Sequence, residues 1–170
     1  MLISPDHDIH IITCKRCGVS MKLTRHSETV KFFDDLSAGI KFFEGCTNSE
    51  ECINWMDSDF FDSIPGERPE AWLSYTHTST VFRLLGMEYT VFGVAGGAKF
   101  LERVKTAIAE TPTGKVAEDH FSGKNPVSDP RLSGLLNYRD TMECLLKVGE
   151  WAAEHDREVV WGSDSTLWPF

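Results

Sequence analysis

Cys14-Lys15-Arg16-Cys17-Gly18 and Gly45-Cys46-Thr47-Asn48-Ser49-Glu50-Glu51-Cys52 are the stretches on which the reading of this chain turns. Each carries a pair of cysteines. Two residues between Cys14 and Cys17 let a tight turn aim both sulfurs at one ion about 2.3 Å away. Gly18 follows the second thiol, a position that often needs a positive φ, which glycine takes at little cost. The second pair is wider. Its Thr47, Asn48 and Ser49 are turn formers, and their backbone amides can steady thiolate charge. Four thiolates complete a tetrahedron, so the expected cofactor is one structural Zn2+ held by Cys14, Cys17, Cys46 and Cys52. His7, His10 and His26 are spare ligands on this reading. The competing readings are unrelated buried thiols and disulfides. Against disulfides stand the odd total of 5 cysteines and a polar, acidic start, Met1 to Asp8, with no secretory apolar core. A reducing cytoplasm is the expected compartment.

The residues around the cysteines carry a resemblance. Cys14-Lys15-Arg16-Cys17-Gly18-Val19-Ser20-Met21-Lys22-Leu23 resembles the first half of the four-cysteine zinc ribbons at the C-terminal end of bacterial type IA DNA topoisomerases. Lys41-Phe42-Phe43-Glu44-Gly45-Cys46-Thr47-Asn48, followed by Cys52, is similar to their second half. Met21, Phe43, Gly45 and Asn48 agree as well as the cysteines. The match covers residues 12–56, with 28 residues between Cys17 and Cys46. It implies a β-hairpin ribbon able to contact DNA, often single-stranded. It does not imply topoisomerase activity, because the chain is far too short for that catalytic body.

Charge qualifies a nucleic-acid role. The formal net charge is −9 and the pI is about 5.1, whereas a plain DNA-binding domain is basic. The imbalance is uneven: residues 57–170 carry 18 acids and 11 bases, residues 1–56 carry 8 and 6. Between positions 15 and 31, Lys15, Arg16, Lys22, Arg25 and Lys31 face only Glu28. Such a local excess can track a phosphate backbone. Phe32, Phe33, Phe42, Phe43 and Trp55 offer stacking faces for unpaired bases, or a core for a ribbon too small to spare its aromatics. The candidate nucleic-acid contacts are Arg16, Lys22, Arg25, Lys31, Lys41 and Phe43.

Beyond the ribbon lies enough chain for a second domain. The expected division is 1–56 for the ribbon and 57–170 for an acidic α+β domain with a long C-terminal helix. The acidic, Pro- and Gly-bearing run Asp57 to Glu70 reads as the junction. Apolar spacing predicts helices over Lys99–Glu110, with Phe100, Leu101, Val104, Ala107 and Ile108 on one side, and over Ser133–His155, capped by Ser133. Met87–Ala95 and Glu158–Trp161 read as strands. A helix is expected within 71–85, starting near Thr78 and closed by Gly86. Residues 114–130 read as a long loop. No apolar run reaches membrane-spanning length.

Chemistry in the second domain is sparse. Gly93-Val94-Ala95-Gly96-Gly97-Ala98-Lys99 joins a strand to a helix, but lacks the residue order of a P-loop or a dinucleotide turn, and reads as a plain connection. His77-Thr78-Ser79 and His120-Phe121-Ser122 each place a histidine two residues before a hydroxyl, a pattern that can serve phosphoester chemistry. Cys144 reads as a packed thiol on the apolar side of its helix. The tail Trp161 to Phe170 is either docked or offered to a partner. Three classes follow. The first is a zinc-ribbon binding protein contacting nucleic acid or a nucleic-acid-processing enzyme, in an accessory or regulatory role and without catalysis. The second is an acidic, protein-directed inhibitor or immunity-type antagonist with purely structural zinc. The third is a small phosphoesterase-like enzyme using His77 and His120.

Overall fold

The structure, a computed structural model, describes residues 1–24, 56–110 and 138–162. Among them the chain is mixed α+β. The order is β1 (Leu2–Pro5), β2 (Ile9–Cys14), β3 (Ser20–Leu23), β4 (Met56–Phe61), β5 (Ala71–Trp72), α1 (Tyr75–Leu84), β6 (Phe92–Gly96), α2 (Gly97–Glu110), α3 (Tyr138–Glu154) and β7 (Glu158–Gly162). One sheet has the strand order β5-β1-β7-β6, the other β3-β2-β4. No helix among the described residues is long and apolar enough to cross a membrane.

Two compact units emerge. The first holds Met1–Pro5, Arg68–Thr90 and the described residues of Ala95–Val159. Its core is the seam between α2 and α3 with α1 and β1. On α2 the i, i+4, i+7 spacing buries Phe100, Val104 and Ala107. On α3, Met142, Leu145, Val148 and Ala152 are buried in the same rhythm. Each large side chain so placed contributes about 1.5–3 kcal/mol of transfer free energy. The helices approach through small residues: a Cβ on Gly149 would stand 3.1 Å from Leu101 Cα. Helix α2 begins at Gly97, earlier than the expected Lys99, and only a bare Cα fits at that position. A Cβ on Gly97 would lie 2.5 Å from the Arg157 carbonyl oxygen and 2.7 Å from the Ala152 carbonyl carbon. The Gly97 amide donates to that same Arg157 oxygen at 3.0 Å.

Helix α1 buries Val81, Phe82 and Leu85 and ends as expected. Gly86 sits in the left-handed region (φ 59°). Its amide donates to the Arg83 carbonyl at 3.1 Å, and the Met87 amide donates to the Phe82 carbonyl at 2.8 Å. That pair of bonds satisfies carbonyls the helix end would leave open. The Arg103 guanidinium donates to the carbonyls of Leu85 and Gly86, a cation where the helix dipole favours one. The helix starts at Tyr75 rather than near Thr78. Ser74, in extended geometry, supplies the carbonyl that accepts the first amides, from His77 and Thr78.

The second unit contains the three-stranded sheet. Strand β2 runs antiparallel to both neighbours, with His10 opposite Leu23 and Phe60, Ile11 opposite Lys22 and Asp59, and Ile12 opposite Met21 and Ser58. Alternation sorts the side chains. His10, Ile12 and Cys14 are buried on one face; Ile9, Ile11 and Thr13 are half-buried on the other. In this unit Trp161 is buried and its indole occupies the space beside Gly93, where a Cβ would come within 2.0 Å of the ring.

Three expectations are corrected here. Residues 56–61 are strand β4, paired edge to edge with β2, not the start of an acidic linker; Ser58 and Phe60 alternate with Asp57, Asp59 and Phe61 on the two faces of the sheet. The strand expected over Met87–Ala95 forms only from Phe92, and Tyr89 and Val91 are exposed. Cys144 is exposed on α3. It lies between the buried Met142 and Leu145 in sequence, but the helix turns it off their stripe. The loop expected at 114–130 and the N-cap Ser133 lie outside the described residues.

Candidate functional site

The turn that joins β2 to β3 positions the first cysteine pair. The Cys14 amide donates to the Val19 carbonyl at 2.8 Å, and the Gly18 amide donates to the Cys14 carbonyl at 2.7 Å. These two bonds close a four-residue loop, Lys15 to Gly18. Its last residue must turn left to re-enter the ladder, and Gly18 does so at φ 73°. A side chain there meets no atom within 4 Å, so the constraint is the dihedral, not space. Cys14 ends a strand and is buried; Cys17 is exposed in the loop. β2 and β3 pair antiparallel across this turn. Cys46 and Cys52 lie outside the described residues, as do Arg25, Lys31, Lys41, Phe43 and His26. Among the described residues no group of three or more His, Cys, Asp or Glu is arranged to hold a metal ion.

The spare histidines have structural surroundings. His10 is fully buried, and its Nε2 lies 3.3 Å from Asp6 Oδ1 and 3.1 Å from the His7 carbonyl oxygen. Phe60 packs edge-on to the His10 ring, with centroids 4.9 Å apart. A buried ring bonded to a carboxylate and a carbonyl fixes the β1–β2 connection. Asp8 accepts two bonds from Ser63, through its amide at 3.0 Å and through its hydroxyl.

The electrostatics of the turn differ from the sequence expectation. Lys15 does not stand free for phosphate: its Nζ lies 2.9 Å from Asp57 Oδ2 on β4. The Lys15 hydrogen bond holds the Asp57 carboxyl below its ordinary value, with Coulomb attraction from the same lysine and the Ser58 amide adding to it, and burial opposing. Asp57 is the site residue that sequence reasoning missed. The signal for it was the strand alternation of 56–61, which sets Asp57 and Asp59 on the face opposite Ser58. Arg16 and Lys22 are both exposed. On the open face of the sheet, Lys22, Ile11 and Asp59 stand in one row across β3, β2 and β4. The three-stranded sheet therefore carries a base on one edge strand and two acids on the other.

Among the described residues the remaining candidate chemistry is not brought together. His77 is half-buried and Ser79 exposed on α1, and a helix rotates roughly 200° over two residues, so the pair does not share a face. Thr78 spends its hydroxyl on the Ser74 carbonyl at 2.9 Å. His120 lies outside the described residues. The glycine-rich connection of β6 to α2 is a packing joint: its first helical amide is used by Arg157, and the space a Cβ would need at Gly97 is filled. No protein-family model, no curated protein and no solved structure matches the chain.

Proposed function

We propose that this chain is a zinc-dependent binding protein, and that residues 12–56 form a ribbon that engages nucleic acid or a nucleic-acid-processing enzyme without catalysing a reaction. In this reading Cys14 and Cys17 supply one knuckle and Cys46 and Cys52 the other. The zinc closes the ribbon and does no chemistry. The observation that supports it is the turn itself: a four-residue loop with left-handed Gly18, carrying a cysteine at its root and another at its third position. Such a loop is what a two-residue spacing needs to turn both sulfurs toward one ion. Arg16 and Lys22 are exposed beside it, with Arg25, Lys31, Lys41 and Phe43 as the further proposed contacts. A reducing, cytoplasmic setting suits thiolate ligands.

A specific observation favours a second reading. Asp57 pairs with the lysine nearest the knuckle, and Asp59 follows on the same strand. An acidic edge of that kind suits a protein partner, as in an inhibitor or immunity-type antagonist, better than a phosphate backbone.

Two measurements on the purified full chain test the proposal. Metal analysis should give one zinc per chain, lost in Cys14→Ser and in Cys46→Ser with unfolding of the ribbon. A titration of the zinc-loaded protein with single-stranded DNA should show binding that weakens with salt. A full chain that keeps its ribbon folded with no metal sinks the zinc reading. Zinc without nucleic-acid binding at low salt leaves the protein-directed reading in its place.

A further inference from the structure

One face of the three-stranded sheet has a charge pattern that the proposed function uses only in part, through Lys22 on one edge and the aspartates on the other. Across its middle row stand Lys22 on β3, Ile11 on β2 and Asp59 on β4. Beside that row, toward the turn, are Ser20, Thr13 and Asp57; on the other side are Ile9 and Phe61. Lys22 and Asp59 are exposed, and neither makes an ion pair among the described residues. Two strand spacings, about 10 Å, separate them. Phe61 is 50% exposed, at the end of the face where β3 contributes no opposing side chain. The face is thus apolar along its centre and at one end, basic on one edge and acidic on the other.

We infer that this face is the contact surface for a second copy of the same chain. The occupant follows from the charge pattern. Stack two such sheets with the two-fold axis lying along β2. The operation exchanges the edges, so β4 of each copy lies over β3 of the other. Lys22 then faces Asp59 of the second copy, and Asp59 faces its Lys22, while Ile11 meets Ile11 on the axis. The other two-fold in the plane, perpendicular to the strands, lays Asp59 over Asp59 and Lys22 over Lys22. Like charges exclude it. A single row of three residues therefore selects one symmetric arrangement out of two. Stacked sheets pack about 10 Å apart, a gap that a lysine and an aspartate reaching toward each other span. Phe61 overhangs the partner's short β3 and covers apolar surface that is otherwise wet.

The contact is small. A patch of three short strands falls below the roughly 800 Å2 per partner of a standard stable interface. The dimer is accordingly weak and concentration-dependent. It also covers Lys22. This inference goes beyond the zinc reading and does not rest on it, but the two meet at that residue: a strand of nucleic acid that uses Lys22 competes with the second copy.

Sedimentation of the full chain across about 5–500 µM tests the proposal, with far-ultraviolet spectra checking that each variant is folded. The wild type should shift from monomer to dimer, less so in high salt. Lys22→Asp and Asp59→Lys should each raise the dissociation constant by about tenfold or more, since one substitution removes two ion pairs and creates two repulsions. The double variant Lys22→Asp/Asp59→Lys should recover the wild-type constant, because the swap preserves complementarity. Phe61→Ser should weaken association with its salt dependence intact. A chain monomeric at every concentration overturns the proposal, as does a dimer indifferent to both single changes. Failure of the swapped pair to recover association overturns it too, since a merely disturbed sheet is not repaired by a second reversal of charge.

Discussion

Replacing Gly97 by alanine tests whether the glycine-rich joint of β6 and α2 is a packing device. The new Cβ would stand 2.5 Å from the Arg157 oxygen, 2.7 Å from the Ala152 carbonyl carbon and 2.8 Å from the Ala152 Cβ. All three are shorter than van der Waals contact, and two belong to backbone that no rotamer change can move. Overpacking of this kind costs about 1–3 kcal/mol. Two backbone clashes place Gly97→Ala near the top of that range. The substitution regains about 0.5–1 kcal/mol of helix propensity, leaving a net loss of about 2 kcal/mol, or roughly thirtyfold in the folding equilibrium. The adjacent Gly96 is the control: it has nothing within 4 Å of its Cβ position and a φ outside the left-handed region. Urea unfolding followed by far-ultraviolet signal should lower the midpoint for Gly97→Ala at constant slope, and leave Gly96→Ala within about 0.5 kcal/mol of wild type. Equal effects at the two positions, or none at Gly97, would refute the assignment of this joint to packing.

Three further outcomes follow from the geometry. The Ser58 hydroxyl is buried with no hydrogen-bond partner among the described residues, so Ser58→Ala should be neutral or stabilise by up to about 1 kcal/mol in the same unfolding assay. Cys144 is exposed, so a maleimide should label it in the folded protein without denaturant, read by mass spectrometry. The Asp57 carboxyl is held low by Lys15, so its contribution is present above the unfolded carboxylate range and is lost as the pH falls through the lowered folded value. Both groups are about half exposed, so solvent screening leaves only a few tenths of a kcal/mol, seen as a flatter acid limb of stability in Asp57→Asn.

The parts of the fold legible in the sequence were those with a strong period and a punctuating residue. Helix α2 reads from Phe100, Val104 and Ala107; the end of α1 reads from Gly86, whose left-handed dihedral fits no other residue as well; β7 reads from its run of Val159, Val160 and Trp161. The Gly18 turn was legible because the residue type and the dihedral are nearly synonymous. What stayed hidden depended on pairing. Strand β4 holds two aspartates in six residues, and its alternation gains meaning only when β2 supplies a buried face. β5 has two residues and no period at all; its identity comes from the β1 register, Leu2 opposite Trp72. The region 87–91 has residues that favour strands, but β propensity expresses side-chain packing on a neighbour, and Tyr89 and Val91 are exposed. In the candidate site, the identity and spacing of the first cysteine pair were legible. The neutralising partner of Lys15 was not, because it arrives from 42 positions further along the chain.

That partner changes what a nucleic-acid contact can look like. A base already paired to a carboxylate releases fewer counterions from phosphate than a free one, since it brings its own. If Arg16, Lys22, Arg25, Lys31 and Lys41 touch phosphates and Lys15 does not, binding to single strands should fall with salt at a log–log slope of about −3.5, from roughly −0.7 per contact. Asp57→Asn keeps the side chain's size and hydrogen-bonding ability but removes the charge that holds Lys15. The freed ammonium becomes a sixth contact. The slope should steepen to about −4.2, and affinity at low salt should rise. Asp59→Asn, two residues further from the turn on the same face, should alter the slope less, because no lysine among the described residues is tied to it. Lys15→Ala in the wild type should leave the slope near its original value, and in the Asp57→Asn background should cancel the gain. An Asp57→Asn protein that binds no more tightly and with an unchanged slope would mean that the nucleic acid does not approach this turn, and the acidic edge of β4 would then belong to a protein contact instead.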